Sequence, residues 1–305
     1  MNWIPLFPPF TFLSINHKNS VDDITKHFEP YSDFNFTSLF SWQGEGEAQV
    51  SQYNNNLIIK IPHYLTGEPV YSILGKDKVD DAINLLLTNF KALSLVPEIT
   101  LKNMVQAEKY EIKEDSDNFD YLYSVNDLVS LTGTTYKKVR NKINSFTSDH
   151  AESAVATSST RNISDEYVQT ILSLNSKWVD ESSNSKQEAY FESQAIKTLL
   201  ENANALNIIV VEIMVDNEIK GFSINEILPN GYSICHFEKT LKSHHVNTGH
   251  YLVHEVAKLL KTNGIHTTNW EQDLGIEGLR RSKESYRPIK FLKKYKHTKQ
   301  TNSET

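Results

Sequence analysis

The chain of 305 residues carries one cysteine, Cys235. A single thiol excludes an internal disulfide framework and fits a reducing compartment. Long apolar runs are missing as well. No stretch reaches the roughly 20 apolar residues that span a bilayer, so a soluble, cytoplasmic, non-transmembrane protein is expected, with a peripheral position at the membrane as an extension of that reading. The opening segment "MNWIPLFPPFTFLSINHK" is apolar and aromatic but has no basic leading region, and Pro5, Pro8 and Pro9 interrupt any helix. It reads as a strand or arm packed on the fold, the alternative being an arm that touches membrane. Positive charge is in deficit: 31 Lys and Arg against 38 Asp and Glu leave a net charge of −7. That excludes a general nucleic-acid coat protein and stable DNA binding, although a local basic face stays open. Several reaction signatures are also missing. There is no G-x-S-x-G elbow and no Walker loop, since "LTGTTYKK" around Gly133 lacks the first glycine. "HEVAK" at His254 lacks the second histidine of a zinc-protease helix, and His245, His250 and His254 read as surface or cleft histidines, so no metal is expected. Cys235 sits in an apolar strand and reads as core rather than as a nucleophile.

What is present suffices for a folded protein of two domains. Apolar residues make up 39% and charged residues 23% of the chain, within the globular range. Residues 148–162, "SDHAESAVATSSTRN", are small, polar and aperiodic, and read as a linker or mobile loop. Domains are expected at 1–150 and 151–305. In the first half, Ser20 and Asp23 suggest a capping box ahead of Ile24, "NLIIKIP" a strand, and "KDKVDDAINLLLTNFKAL" a helix with Ala82, Leu85, Leu86 and Phe90 on one stripe. "EITLKNM" is read as a strand, Ser124 and Asp127 as the cap of "SVNDLVSLTG", and "TTYKKVRNKINSF" as a basic helix. In the second half come a helix capped by Ser164, a helix in "SQAIKTLLENANAL", and a three-strand meander turning at Asp216-Asn217 and Pro229-Asn230-Gly231. "TGHYLVHEVAKLLKTNG" is a helix, "IHTTNW" a short strand, "GIEGLRRSKESY" a helix stopped by Pro288, and "IKFLKKYK" a last strand.

That order of elements is the order of a GNAT acyltransferase domain, in which the fourth and fifth strands splay and substrates meet in the gap. Here the fourth strand ends at Phe237-Glu238-Lys239 and the fifth at Asn269-Trp270, so both clusters would flank one cleft. Glu238 and Lys239 are neighbours in a strand and point to opposite faces. The usual coenzyme A turn, Arg/Gln-x-x-Gly-x-Gly/Ala, is not matched. The local "SHHVNTGHYL" offers only Gly249, with Tyr251 where a small residue belongs. Two basic patches stand out in an otherwise acidic chain. One holds Lys137, Lys138, Arg140 and Lys142. The other runs from Arg280 through Arg281, Lys283 and Arg287 to Lys299, with Tyr286 inside it. Two such patches suggest an anionic partner such as phosphate, tRNA or a lipid headgroup, and Tyr286 could add stacking.

Four blocks, "SDFNFTSLFSWQ", "FDYLYSVNDLVSLTGTTYKKVRNKINSF", "HFEKTLK" and "NWEQDLGIEGLRRSKESYRP", together resemble the signature segments of the phosphatidylglycerol lysyltransferase C-terminal domain family in its stand-alone bacterial branch. They occur in family order and span about residues 28 to 295. The resemblance implies an α+β protein of two tandem GNAT-like domains, each a mixed, mostly antiparallel sheet flanked by helices, related to the Fem-type peptidyltransferases. It also implies transfer of an aminoacyl group from aminoacyl-tRNA, with donor and acceptor entering the second domain's cleft from opposite sides. Where the lipid-modifying branch carries Asn-Leu-Gly-Met-Ala-Pro, this chain has Asn269-Trp-Glu-Gln-Asp-Leu-Gly275, so the acceptor is left open.

The leading expectation is an aminoacyltransferase with no tightly bound cofactor and aminoacyl-tRNA as donor. The acceptor is an amine or hydroxyl on an anionic lipid headgroup or a small molecule. Glu271 or Asp273 would act as general base or hold the donor's amino group. Lys239 or Arg280 would neutralise the developing oxyanion or a tRNA phosphate, and Glu238 completes the catalytic set. Asn269, Trp270, Arg280, Arg281, Lys283 and Tyr286 would bind substrate, and Lys137, Lys138, Arg140 and Lys142 the nucleic-acid backbone. The alternatives are N-acyl transfer from acyl-coenzyme A or a carrier-protein thioester, and a non-catalytic module that binds RNA or anionic membrane.

Overall fold

The computed structural model describes residues 3–42, 48–63, 66–150, 153–159, 163–181, 186–241 and 244–300. Contacts divide the chain into two units. The first holds residues 1–120, 272–277 and 291–305; the second holds 121–271 and 278–290.

In the first unit the segments are β1 (Thr11–Phe12), α1 (Lys18–Thr25), α2 (Phe36–Ser41), β2 (Gln49–Tyr53), β3 (Asn56–Pro62), β4 (Pro69–Leu74), α3 (Val79–Asn89), β5 (Ala92–Pro97), α4 (Glu98–Leu101) and β6 (Tyr110–Glu114). Strands β1 to β4 form an antiparallel meander in that order. Ile58 and Ile73 from this sheet pack on Val79, Ala82, Ile83 and Leu86 of α3, all buried, as the 3.6-residue stripe of that helix dictates. The N-terminal arm packs on this unit: Phe7 and Phe10 meet Phe90 edge-on at 6.1 and 6.5 Å.

The second unit contains β7 (Asp120–Ser124), α5 (Val125–Ser130), α6 (Lys137–Asp149), β8 (Ala154–Ser159), α7 (Asp165–Asp180), α8 (Lys186–Glu201), α9 (Ala203–Leu206), β9 (Ile208–Val215), β10 (Glu218–Ile227), β11 (Tyr232–Thr240), α10 (Thr248–Thr262), β12 (Thr267–Asn269) and α11 (Glu277–Ser285), and β13 (Lys290–Leu292) follows where the chain returns to the first unit at residue 291. The chain then closes with β14 (Lys294–Lys299), between β5 and β6. The large sheet has the order β13-β7-β12-β11-β10-β9-β8. Its β8–β11 part is antiparallel, whereas β11 and β12 run parallel over only three residue pairs, Tyr232–Thr267 to Ile234–Asn269. Strand β11 continues to Thr240 after β12 has ended, so beyond Ile234 the two have no paired residues. Above this sheet, Leu252, Val256 and Leu260 of α10 pack on Val211 and Ile213.

Most expected elements are in place, with Ser124 and Ser164 capping α5 and α7 through Asp127 N–H and Tyr167 N–H, both at 3.2 Å. Four readings need correction. "EITLKNM" begins a helical turn, α4, because Pro97 sets the entry and Glu98 sits in the first turn. Ser20 lies inside α1, which starts at Lys18. The stretch 148–162 contains strand β8 in its described part: Ala154 to Ser159 pair with β9 as a sheet edge, and polar β-branched residues suit an edge as well as a loop. Residues 151, 152 and 160–162 lie outside the described residues. Finally, "IKFLKKYK" breaks at Lys293 into β13 and β14, in different sheets. The division of contacts also differs from a boundary at 150. Val139 and Ile143 of the basic helix bury against Val253 and Ala257 of α10, which assigns α6 to the second unit.

Candidate active site

The site grows out of an irregularity in β11. Ile224 pairs with Phe237 and Asn225 with Cys235, leaving His236 as an extra residue. A regular strand sends residues three apart to opposite faces. The bulge lets Cys235 and Glu238 line the same small cavity, with Ser223, Thr268 and Trp270 beside them and Val253, Val256 and Ala257 of α10 opposite.

Glu238 is exposed to water, yet protein surrounds it on nearly every side, which is the position of a group in a cleft. Burial pushes its carboxyl up to about 7, against the pull of Lys283 and Lys239; water reaching the cleft tempers that rise. Lys239 points away, as alternation requires. It is paired with Glu192 at 2.8 Å and lies 3.4 Å from the centre of the Trp178 ring. Its ammonium is thereby held by Glu192 and Trp178, while its charge still lowers the proton affinity of Glu238.

Glu271 stands at the end of β12 with φ of +56°, a conformation that favours glycine and costs a residue with a Cβ on the order of 1 kcal/mol or more. Asn269 Oδ1 accepts its N–H at 2.7 Å, and Tyr121 and Lys283 donate to its carbonyl at 3.3 and 3.1 Å. The carboxylate is clamped to His236 Nδ1 at 3.1 Å, whose Nε2 faces Glu226 at 3.4 Å. Burial alone would lower the imidazole's pKa; hydrogen bonds to Glu226 and Glu271 overturn this and hold it at about 9. Glu271 is therefore half of a charged clamp. Asp273 belongs to the first unit, fully buried, and accepts Gly275 N–H at 2.8 Å across a tight turn.

Trp270, Tyr123 and Tyr286 form an aromatic cluster beside Lys283. Trp270 lies 4.0 Å from Tyr123 and 5.1 Å from Tyr286, centre to centre. Lys283 is buried, with its ammonium on the carbonyls of Trp270 and Glu271 at 2.5 and 3.1 Å. Tyr286 is buried, and its hydroxyl meets His250 Nδ1 at 2.5 Å; His250 Nε2 meets Lys142 at 2.9 Å. Arg280 is half-buried and Arg281 exposed, both with contacts inside the protein. Lys137 and Lys138 are exposed on α6, whereas Arg140 donates to the carbonyls of Leu131 and Gly133, stabilising the loop before its helix. Cys235 is core-like: burial pushes its thiol up to about 12. His254 meets the Val129 carbonyl at 3.1 Å. Among the described residues no three His, Cys, Asp or Glu side chains converge as a metal site, and no helix is long and apolar enough to cross a membrane.

Sequence reasoning missed His236 and Glu226, and gave Thr268 no role. The signal for His236 was available. In "YSICHFEKT" the alternation of polar and apolar residues slips at Cys235-His236, the trace of a bulge.

Residues 25–297 match the family described as phosphatidylglycerol lysyltransferase, C-terminal. The chain belongs to this family. Among solved structures it is similar to a conserved protein of unknown function from Bacteroides thetaiotaomicron VPI-5482, with TM-score 0.81 and 23% identity over 96% of this chain and 99% of that one. It is also similar to L-PGS from Bacillus licheniformis (TM-score 0.63, 11% identity, 93% and 92% covered) and to FemX (0.57, 8%, 96% and 97%). At such identities the structures speak for the fold, that of tandem GNAT-like domains. No curated protein matches the chain.

Proposed function

We propose that the protein is an acyltransferase that moves an aminoacyl group from aminoacyl-tRNA to an amine or hydroxyl acceptor, a lipid headgroup or a small molecule. The observation that carries this reading is Glu238. It is a carboxyl raised to about 7, in a cleft, on a bulged strand four residues past Ile234, where pairing of β11 with its parallel neighbour ends. A carboxylate so tuned takes a proton from an attacking amine or hydroxyl near neutral pH. The acceptor attacks the carbonyl carbon of the ester, its proton passes to Glu238, and Glu238 returns that proton to the ribose oxygen as the ester C–O bond breaks. Glu271, clamped by His236, shapes the strand end rather than abstracting the proton. Lys137 and Lys138, exposed on α6, provide charge for a nucleic-acid backbone. Membership of a family named for lysyl transfer supports the class of reaction. An acyl-coenzyme A donor is disfavoured by Tyr251, whose ring stacks on Phe146 at 4.7 Å where a pyrophosphate turn needs a small residue.

The test is incubation with total tRNA charged with radiolabelled amino acids, followed by extraction of lipids and small molecules. Label should leave tRNA for one of those fractions. Absence of transfer or accelerated deacylation for every amino acid, together with thermal stabilisation by acetyl-coenzyme A, would replace this reading with the thioester one.

A further inference from the structure

The cavity beside Glu238 has room for about one water-sized group. One wall is apolar, formed by Val253, Val256 and Ala257 of α10; the other is the sheet, with Ser223 and Thr268. A wall so close to the core would ordinarily be apolar as well, yet this layer is polar. Thr268 is 1% exposed, and its hydroxyl has no hydrogen-bond partner. Ser233, paired with Thr268 across the parallel strands, is buried with an equally unpartnered hydroxyl. Leaving such groups unmatched costs stability. A site that accepts this cost beside a cavity is suited to a ligand that supplies the missing partner.

We propose that this cavity receives the side chain of the transferred aminoacyl group, and that the group is small, uncharged and hydroxyl-bearing, of the seryl type. The proposal rests on the aminoacyl-transfer reading above. With the ester carbonyl at Glu238, the side chain enters one or two atoms deeper, where a hydroxymethyl group reaches the Thr268 hydroxyl. An alanyl methyl fits the space but leaves that hydroxyl unpaired. A lysyl chain is too long for a cavity with room for about one water-sized group, and would carry its ammonium past Glu238 against the apolar wall of Val253, Val256 and Ala257. Sites built to hydrogen-bond a hydroxyl discriminate against analogues that lack it.

The experiment measures calorimetric binding of non-hydrolysable analogues to the intact protein: seryl, alanyl, glycyl and lysyl groups joined by an amide to 3′-amino-3′-deoxyadenosine. The seryl analogue should bind on the order of tenfold or more tighter than the alanyl one, and the lysyl analogue weakest. Thr268→Val, of matching shape, should bring the seryl analogue down to the alanyl level while the melting temperature stays near that of the parent. Lysyl binding equal to seryl binding overturns the assignment and leaves aminoacyl transfer standing. An unchanged seryl preference in Thr268→Val also overturns it, leaving the cavity to a structural water only. If no analogue binds, the aminoacyl reading falls and takes the pocket assignment with it.

Discussion

Each unit buries a clamped charge, and the second adds a raised carboxyl that water reaches. In the first, Lys294 is fully buried between Asp33 and Asp120, bonded to Asp120 at 2.7 Å and in contact with Asp33. Ser32 donates through its N–H and hydroxyl to Asp120 at 2.8 and 2.7 Å, and Gln272 donates to Asp33 at 2.8 Å and meets Ser32 at 3.0 Å. Burial alone would lower the Lys294 pKa, and the two carboxylates reverse this and raise it. The network is sealed and ties four separate segments of chain into one unit. In the second unit, Glu238 opens to water with its proton affinity raised, Glu271 is held in a left-handed backbone, and the Ser233 and Thr268 hydroxyls lack partners. Satisfied buried charge builds a scaffold, and incompletely satisfied polar groups beside a cavity are where chemistry is affordable.

The contrast can be broken most strongly at its two carboxylate centres. Glu238→Gln should lower aminoacyl transfer by about 10²- to 10⁴-fold while thermal stability holds or rises, as read from initial rates on charged tRNA and a melting curve. In the parent, kcat/KM should rise with pH through about 7 as Glu238 loses its proton, and the variant should lose that rise. Lys294→Met should destabilise the protein by about 3–5 kcal/mol in urea unfolding, because it leaves two carboxylates buried without their cation. Adding Asp33→Asn and Asp120→Asn should recover part of that loss, and failure to do so would separate packing from charge.

A smaller effect belongs to the clamp. The folded pKa of His236 is raised to about 9 from an ordinary 6.5. Its stabilisation is complete below about pH 6.5 and fades as pH rises through about 9, by up to about 3 kcal/mol. His236→Phe should flatten urea midpoints measured across that window. Glu212, raised by burial to about 7, acts in a lower window: its neutral form is favoured in the fold, so its contribution is lost between about pH 4.5 and 7. Least costly to the fold is Lys137→Glu with Lys138→Glu. On an exposed helix face this should change stability by no more than about 0.5 kcal/mol, while weakening tRNA binding and flattening its salt dependence by about one to two units of slope. Unchanged tRNA affinity would remove α6 from the donor site.

The pattern of apolar residues made α3, α5, α7, α10 and the β9–β11 meander legible, since each buries a face whose period the chain spells out. Caps at Ser124 and Ser164 were legible because the cap bond spans only three residues. The opposite orientation of Glu238 and Lys239 followed from strand geometry alone. Lys283 was misleading, because a cation in a basic run reads as a group for an anionic substrate until a distant strand end places two carbonyls around its ammonium.

The sequence by itself determined the class of fold and the family, since periodicity, caps and the four blocks are local properties of the chain. Tertiary structure alone decided which charges do chemistry. Asp273 and Glu271 lie two residues apart, yet one closes a buried turn and the other joins a clamp. Asp33, Asp120 and Lys294 are far apart in sequence and form one buried network. Protonation and reactivity depend on burial and on neighbours supplied by remote segments, and those are set only when strands pair, bulge and splay.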